Sequence, residues 1–137
     1  MVSDLTAAEL QTLLGRAAAL KAARAAGQPT VTLPGKILGM IFEKPSTRTR
    51  VSFEVAVAAM GGYPVPLSSS ELQLGRGETI EDTGRLLSRY VDAIVLRTFE
   101  QERLELLAGA ATIPVVNALS DFEHPCQALR GRWSFHR

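Results

Sequence analysis

The sequence contains one cysteine, almost no net charge and no unbroken apolar segment of membrane-spanning length. Cys126 cannot form an internal disulfide, which is typical of proteins from a reducing compartment. Residues 1–30 place acidic residues before basic ones and have no continuous apolar core, so neither a signal peptide nor a membrane span is expected. A formal net charge of +1 excludes a nucleic-acid binder that works by massed phosphate neutralisation, although a local basic site stays open. These features predict a cytoplasmic protein.

Length and composition are those of one globular domain. The 137 residues are enough to bury a core, and 46% of them are hydrophobic while 21% are charged. Helices are predicted at residues 3–27, 46–62, 78–90 and 101–111, and strands at residues 36–42, 92–97 and 113–119. Strands separated by helices of this length imply parallel crossovers. The sequence therefore predicts an α/β fold with an open, mainly parallel sheet and helices on both faces.

Capping residues and prolines give further expectations for two segments. The first helix is expected to begin at a cap formed by Ser3 or Asp4 and to stop at Gly27. Residues 63–67, YPVPL, carry two prolines that cannot donate a backbone hydrogen bond, so they predict only an edge strand or an irregular segment.

Polar clusters follow three of the predicted strands. Residues 46–50 follow the first strand, Arg97 and Thr98 follow the strand DAIVL, and residues 124–127 come shortly after IPVVNAL. In open α/β sheets, ligands bind outside the carboxyl ends of the strands, where loops meet helix N-termini. The three clusters are therefore expected to converge on one ligand site.

The cluster STRTR, residues 46–50, has the chemistry of an anion cradle. A helix N-terminus presents backbone N–H groups without internal partners, the hydroxyls add donors, and the Arg48 guanidinium suits bidentate contact with phosphate. The glycines and lysine of a Walker loop are missing, so a nucleoside triphosphate is not indicated. The alternative is a plain helix cap with solvated arginines. Arg50 and Glu54 are four residues apart and are expected to pair, which makes Arg50 the weaker ligand candidate.

Arg97 and the HPCQ segment supply further candidates. Arg97 ends an apolar strand, which aims its guanidinium at the same crevice, unless the strand end is simply exposed. Pro125 suits the first turn of a helix and places His124 at its cap, with Gln127 one turn on. A neutral imidazole can donate to a carbonyl oxygen and the Gln127 amide can accept from an NH₂ group, although a capping histidine is the simpler alternative. His136 lies too far along the chain to form a ligand pair, so no metal site is expected.

At these residues the sequence resembles a known family. The segments FEKPSTRTRVSFE, QLGRGETIEDTGRLLSRYVDAIVLRT and VVNALSDFEHPCQAL resemble the carbamoyl-phosphate-binding domain of the aspartate/ornithine carbamoyltransferases, over residues 36–129. Gln73 in LQLGRGE and Cys126 in HPCQ match the ornithine branch. The aspartate enzymes typically show a lysine in the loop that corresponds to LQLGRGE, and HPTQ in place of HPCQ. The resemblance implies transfer of the carbamoyl group from carbamoyl phosphate to the side-chain amine of ornithine, giving citrulline and phosphate, in arginine biosynthesis.

The resemblance also implies site residues and partners. The residues that it assigns to carbamoyl phosphate are Ser46, Thr47, Arg48, Thr49, Gln73, Arg97, His124, Pro125, Cys126 and Gln127. Arg97 and His124 would be catalytic, donating with Thr49 to the carbonyl oxygen. Gln73 would reach into a neighbouring subunit, which implies a homotrimer. The resemblance implies no cofactor and no metal.

The family pattern breaks down in two places. Residues 130–137 depart from it, and the second domain that binds ornithine in the family is not present, so residues 1–137 are expected to bind carbamoyl phosphate but to be inactive alone. The usual Glu-Phe before the histidine reads Phe122-Glu123, a swap expected to bear on how His124 is presented. Two alternatives stay open: a fragment of an aspartate carbamoyltransferase catalytic chain, and a non-catalytic phosphate-binding or oligomerisation module.

Overall fold

The computed structural model describes residues 2–72 and 77–134, with side chains as far as residue 129. Its strands form one parallel sheet in the order β2-β1-β3-β4. The strands are β1 (Ile37–Phe42), β2 (Tyr63–Ser68), β3 (Ala93–Arg97) and β4 (Val115–Leu119). The helices are α1 (Ala7–Ala25), α2 (Thr47–Ala59), α3 (Ile80–Leu87), α4 (Gln101–Ala110) and α5 (Pro125–Ser134), and a short 3₁₀ turn covers Val2–Asp4. The predicted α/β fold is confirmed.

Helices cover both faces of the sheet because the strand side chains alternate. On one face, Ile41, Ile94 and Leu96 are buried together with apolar residues of α3 and α4. On the other face, Met40 and Val95 are buried and Phe53 of α2 packs against them. Each of these strand residues is fully buried, and burying one large apolar side chain contributes about 1.5–3 kcal/mol. The two central strands, β1 and β3, therefore anchor the sheet.

The segment YPVPL forms β2, at the edge of the sheet next to β1. An edge strand needs hydrogen bonds on one side only, so its two prolines lie where missing N–H donors are tolerated. The edge-strand prediction is confirmed.

The predicted cap of the first helix is wrong. Ser3 and Asp4 lie in the 3₁₀ turn, and Thr6 caps α1 instead. The Thr6 hydroxyl accepts from the Glu9 backbone N–H at 3.2 Å, and the Glu9 carboxylate accepts from the Thr6 N–H at 2.8 Å. This reciprocal pair is a capping box, and its hydrogen bonds lower the pKa of Glu9. The stop at Gly27 is confirmed, since that residue has a φ of +67° and follows the last turn.

None of the helices in the described ranges is long and apolar enough to cross a membrane.

Candidate anion-binding site

The three polar clusters line one cavity of about 750 Å³ at the carboxyl end of the sheet. The lining residues that the sequence predicted are Ser46, Thr47, Arg48, Thr49, Arg97, His124, Cys126 and Gln127. Pro125 begins α5 and is not among the lining residues, and Gln73 lies outside the described residues. The cavity forms because β1, β3 and β4 run parallel and release their following loops at the same edge.

The first wall of the cavity is the N-terminus of α2. Ser46 caps the helix, and its hydroxyl oxygen accepts from the Thr49 N–H at 3.3 Å. Arg50 turns away and pairs with Glu54 at 2.8 Å, as predicted. Arg48 lines the cavity and makes no ion pair with the described residues. The helix dipole and the Arg48 guanidinium therefore add positive potential to the same wall.

Arg97 forms the second wall. It is the last residue of β3, and its Nη1 donates to the Thr49 hydroxyl oxygen at 3.2 Å. Its Nε is buried and has no hydrogen-bond partner among the described residues. A buried donor without a partner costs free energy, about 1–3 kcal/mol, so such groups in native proteins call for an explanation. The unpaired donor therefore marks Arg97 as a candidate ligand-binding residue.

His124 forms the third wall, at the start of α5. Its carbonyl oxygen accepts from the N–H groups of Gln127 and Ala128, which places it at the helix cap as predicted. Burial, and secondly the positive charge of Arg97, lower the pKa of His124 below its ordinary value. The imidazole is therefore neutral at pH 7 and offers one N–H donor. Its Nδ1 is buried without a partner in the described part of the chain.

The family follows from comparison with known proteins. Residues 1–135 match the family model described as aspartate/ornithine carbamoyltransferase, carbamoyl-P binding domain. The chain belongs to this family. The predicted family resemblance is confirmed.

Several family members are close in sequence and structure. An ornithine carbamoyltransferase from Parafrankia sp. is 59% identical over 128 residues, or 93% of this chain and 40% of that relative. The structure of ornithine carbamoyltransferase from Pyrococcus furiosus superimposes with a TM-score of 0.93 at 55% identity, covering 96% of this chain and 42% of that one. For the Burkholderia thailandensis enzyme the TM-score is 0.92 at 39% identity, with 98% and 46% covered. The chain thus spans less than half the length of these carbamoyltransferases.

The structure shows where the swapped residues before His124, Phe122 and Glu123, lie. Phe122 is 71% exposed, whereas the Glu123 carboxylate turns inward and accepts from the Val2 N–H at 2.9 Å. The Glu123 carbonyl oxygen accepts from the Ser120 N–H, which closes the turn before α5. His124 therefore lines the cavity despite the swapped pair, and the N-terminal turn packs beside it.

Cys126 contributes a neutral wall. Its Sγ lies 3.8 Å from the Asn117 carbonyl oxygen, and burial raises the pKa of the thiol. A thiol with a raised pKa is a poor nucleophile at neutral pH, and Cys126 lines the cavity. Within residues 2–72 and 77–134, no cluster of three or more His, Cys, Asp or Glu side chains is placed to hold a metal ion.

Sequence reasoning missed an ion pair that links two walls. The Lys44 ammonium lies 2.5 Å from the Asp121 carboxylate and 4.3 Å from the centre of the Phe99 ring. These residues lie on the loops after β1, β3 and β4. Their wide separation in the chain leaves no periodic signal, so only the sheet order could have suggested the contact.

Proposed function

We propose that residues 1–137 are the carbamoyl-phosphate-binding domain of an ornithine carbamoyltransferase. The complete enzyme transfers the carbamoyl group from carbamoyl phosphate to the side-chain amine of ornithine, giving citrulline and phosphate. The names of the relatives support ornithine as the acceptor, and one relative from Pyrococcus furiosus, 56% identical, is named anabolic, which supports a role in arginine biosynthesis.

The observation that carries this proposal is the contact between Arg97 and the α2 N-terminus. The Arg97 Nη1 donates to the Thr49 hydroxyl oxygen at 3.2 Å, so the guanidinium lies beside the helix end. Donors from two parts of the chain thus face one cavity that also contains Arg48 and His124. An acyl phosphate, whose phosphate oxygen is bonded to a carbonyl carbon, presents acceptors at both places.

The phosphate group is held by the first wall. The backbone N–H groups at the start of α2 and the side chains of Ser46, Thr47 and Thr49 donate to its oxygens. Arg48 provides the guanidinium fork, whose planar geometry fits two phosphate oxygens at once. All four residues line the cavity.

The carbonyl oxygen is held by the other walls. Arg97, the neutral His124 and the Thr49 hydroxyl donate to it, and the Gln127 amide accepts from the carbamoyl NH₂. The neutral amine of ornithine attacks the carbonyl carbon, negative charge grows on the carbonyl oxygen, and the carbon–oxygen bond to phosphate breaks. The departing phosphate takes up the proton that the amine nitrogen loses. Donors placed in advance stabilise that charge without a covalent intermediate or a cofactor.

Location and assembly belong to the same proposal. The enzyme works in the cytoplasm as a homotrimer in which Gln73 from a neighbouring subunit completes the site. The single cysteine, which cannot form an internal disulfide, suits a reducing compartment.

Titration calorimetry of a polypeptide of residues 1–137 tests this function. We expect weak but saturable binding of carbamoyl phosphate and of phosphate, because the three walls of the anion site lie within this chain and only Gln73 comes from a neighbouring subunit. We expect no citrulline when ornithine is added. Holding the amine in line with the carbonyl carbon lowers the barrier by about 7–11 kcal/mol, and the residues that would hold it lie in the part of the relatives that this chain does not cover. A folded polypeptide that binds neither anion would refute the proposal.

The pKa of His124 gives a test that depends on pH. Without ligand the pKa lies below its ordinary value, and a bound anion favours the charged imidazolium, so saturating sulfate should raise it. By linkage, sulfate should bind more tightly as the pH falls from about 7.5 to 5.5, a range in which His titrates and sulfate keeps its charge. NMR titration of the His124 ring protons measures both effects. An unchanged pKa at saturation would place His124 outside the anion site.

A further inference from the structure

Glu43 contacts Arg97 through its backbone and the next residue, Thr98, through its side chain. Glu43 directly follows β1, and its side chain is 10% exposed. Its backbone N–H donates to the Arg97 carbonyl oxygen at 2.9 Å. Its carboxylate accepts a hydrogen bond from the hydroxyl of Thr98, the next residue, which is fully buried. Since the Thr98 N–H also donates to the Leu119 carbonyl oxygen, the backbone that carries Arg97 is held between β1 and β4.

Arg103 of α4 completes this arrangement. Its Nε lies 3.1 Å from both carboxylate oxygens of Glu43, and its Nη2 lies 2.5 Å from one of them. These hydrogen bonds raise the pKa of Arg103. A nearly buried carboxylate requires such a partner, because a single uncompensated charge is strongly destabilising in a protein interior. Arg103 therefore fixes the Glu43 carboxylate in one orientation.

The position of Glu43 connects this cluster to the anion site. Only Lys44 and Pro45 separate Glu43 from the Ser46 cap, while Thr98 follows Arg97 directly. One carboxylate is thus tied to both parts of the chain that face the ligand. Neither Glu43 nor Arg103 lines the 750 Å³ cavity.

We propose that Glu43, held by Arg103 and Thr98, is a positioning residue that sets the distance between the α2 N-terminus and the Arg97 guanidinium. This inference rests on the proposed function for the identity of the ligand, but its geometric part does not depend on it. A plain structural tie that only anchors α4 would change the stability of the fold and leave the site unchanged. Readouts at the site therefore distinguish the two roles.

The principal variant is Arg103→Met, which removes the guanidinium and keeps most of the side-chain length. We expect the affinity of residues 1–137 for phosphate to fall roughly tenfold to a hundredfold, the loss expected when one charge-assisted hydrogen bond to the anion is misaligned. In the anion-free variant, the pKa of His124 should rise by the part of its lowering that comes from the charge of Arg97, while burial, the larger cause, continues to lower it. NMR measures both quantities on one sample.

Further variants serve as controls. Arg85→Met removes an exposed arginine paired with Asp82 on α3, so phosphate affinity and the His124 pKa should be unchanged. Arg103→Lys keeps the charge without the fork and should restore part of the affinity. Thr98→Val is nearly isosteric and keeps the Glu43–Arg103 pair, so it reports on the hydroxyl alone if Arg103→Met does not fold.

The outcomes separate the two proposals. A rise in the His124 pKa of Arg103→Met, together with weaker phosphate binding, supports the positioning role. If the wild-type chain binds no phosphate but the His124 pKa still rises in the variant, positioning holds and the proposed function fails. Folded Arg103→Met and Thr98→Val proteins with wild-type phosphate affinity and wild-type His124 pKa would overturn the inference.

Discussion

Replacing Arg48 with alanine is expected to weaken binding of carbamoyl phosphate by about 10²–10⁴-fold. Charge-assisted hydrogen bonds contribute roughly 1.5–3 kcal/mol each, and a fork that makes two of them accounts for a loss of this size. Arg48 lines the cavity and makes no ion pair with the described residues, so its guanidinium is available to the ligand. Calorimetry on the purified variant measures the loss.

Arg50→Ala is the matched control for this prediction. Arg50 lies on the same helix, two residues further on, and its guanidinium pairs with Glu54 at 2.8 Å outside the cavity lining. We expect a change of about threefold or less in affinity, because exposed charges at a distance are screened by salt. Equal losses in the two variants would mean that the site senses net charge rather than the Arg48 fork. Wild-type affinity in a folded Arg48→Ala protein would remove Arg48 from the site.

The second large effect concerns turnover. Loss of Arg97 or His124 in a complete carbamoyltransferase should lower turnover by about 10²–10³, the scale for one donor to a developing oxyanion. Both side chains line the cavity and carry a buried nitrogen with no partner among the described residues. Residues 1–129 joined to the remaining part of the Pyrococcus furiosus relative, which is 55% identical over the shared region, provide an enzyme for the assay.

Arg97→Gln and His124→Asn are suitable changes, and Lys36→Ala is their control. Lys36 pairs with Asp92 at the opposite end of the sheet, and the Lys36 side chain is 58% exposed. Its loss should therefore leave turnover unchanged. Arg97→Gln removes a buried unpaired donor and is not expected to lower the melting temperature by much. A tenfold or smaller loss of turnover for both site variants would show that another group polarises the carbonyl.

The boundary between β1 and α2 is predictable because neighbouring residues in the sequence define it. A proline, then a serine cap, then an apolar helical pattern define the boundary, and the structure places the cap at Ser46. The spacing of Arg50 and Glu54 likewise predicted their ion pair. The cap of α1 also has a local signal, the Thr6 to Glu9 spacing of a capping box, which outweighs the polar residues Ser3 and Asp4 that precede it.

Contacts between distant segments could not be predicted in the same way. The sheet order places β1 between β2 and β3, and chain order does not specify this. The Glu43–Arg103 pair joins residues 60 positions apart on a strand end and a helix, so no periodicity reports it. The inward turn of the Glu123 carboxylate toward Val2 also depends on how the 3₁₀ turn Val2–Asp4 packs beside α5. Local sequence predicted most of the residues that line the cavity, and the fold determines what holds them in place.

A backbone NMR titration of residues 1–137 with carbamoyl phosphate tests the central claim most directly. We predict saturable shifts of the N–H signals of residues 47–49, Arg97 and His124, because these groups line one cavity at the carboxyl end of the sheet. Signals at the opposite end of β1, near the Lys36–Asp92 pair, should stay unchanged. A folded chain without saturable shifts, or with shifts confined to surfaces away from this cavity, would contradict the account.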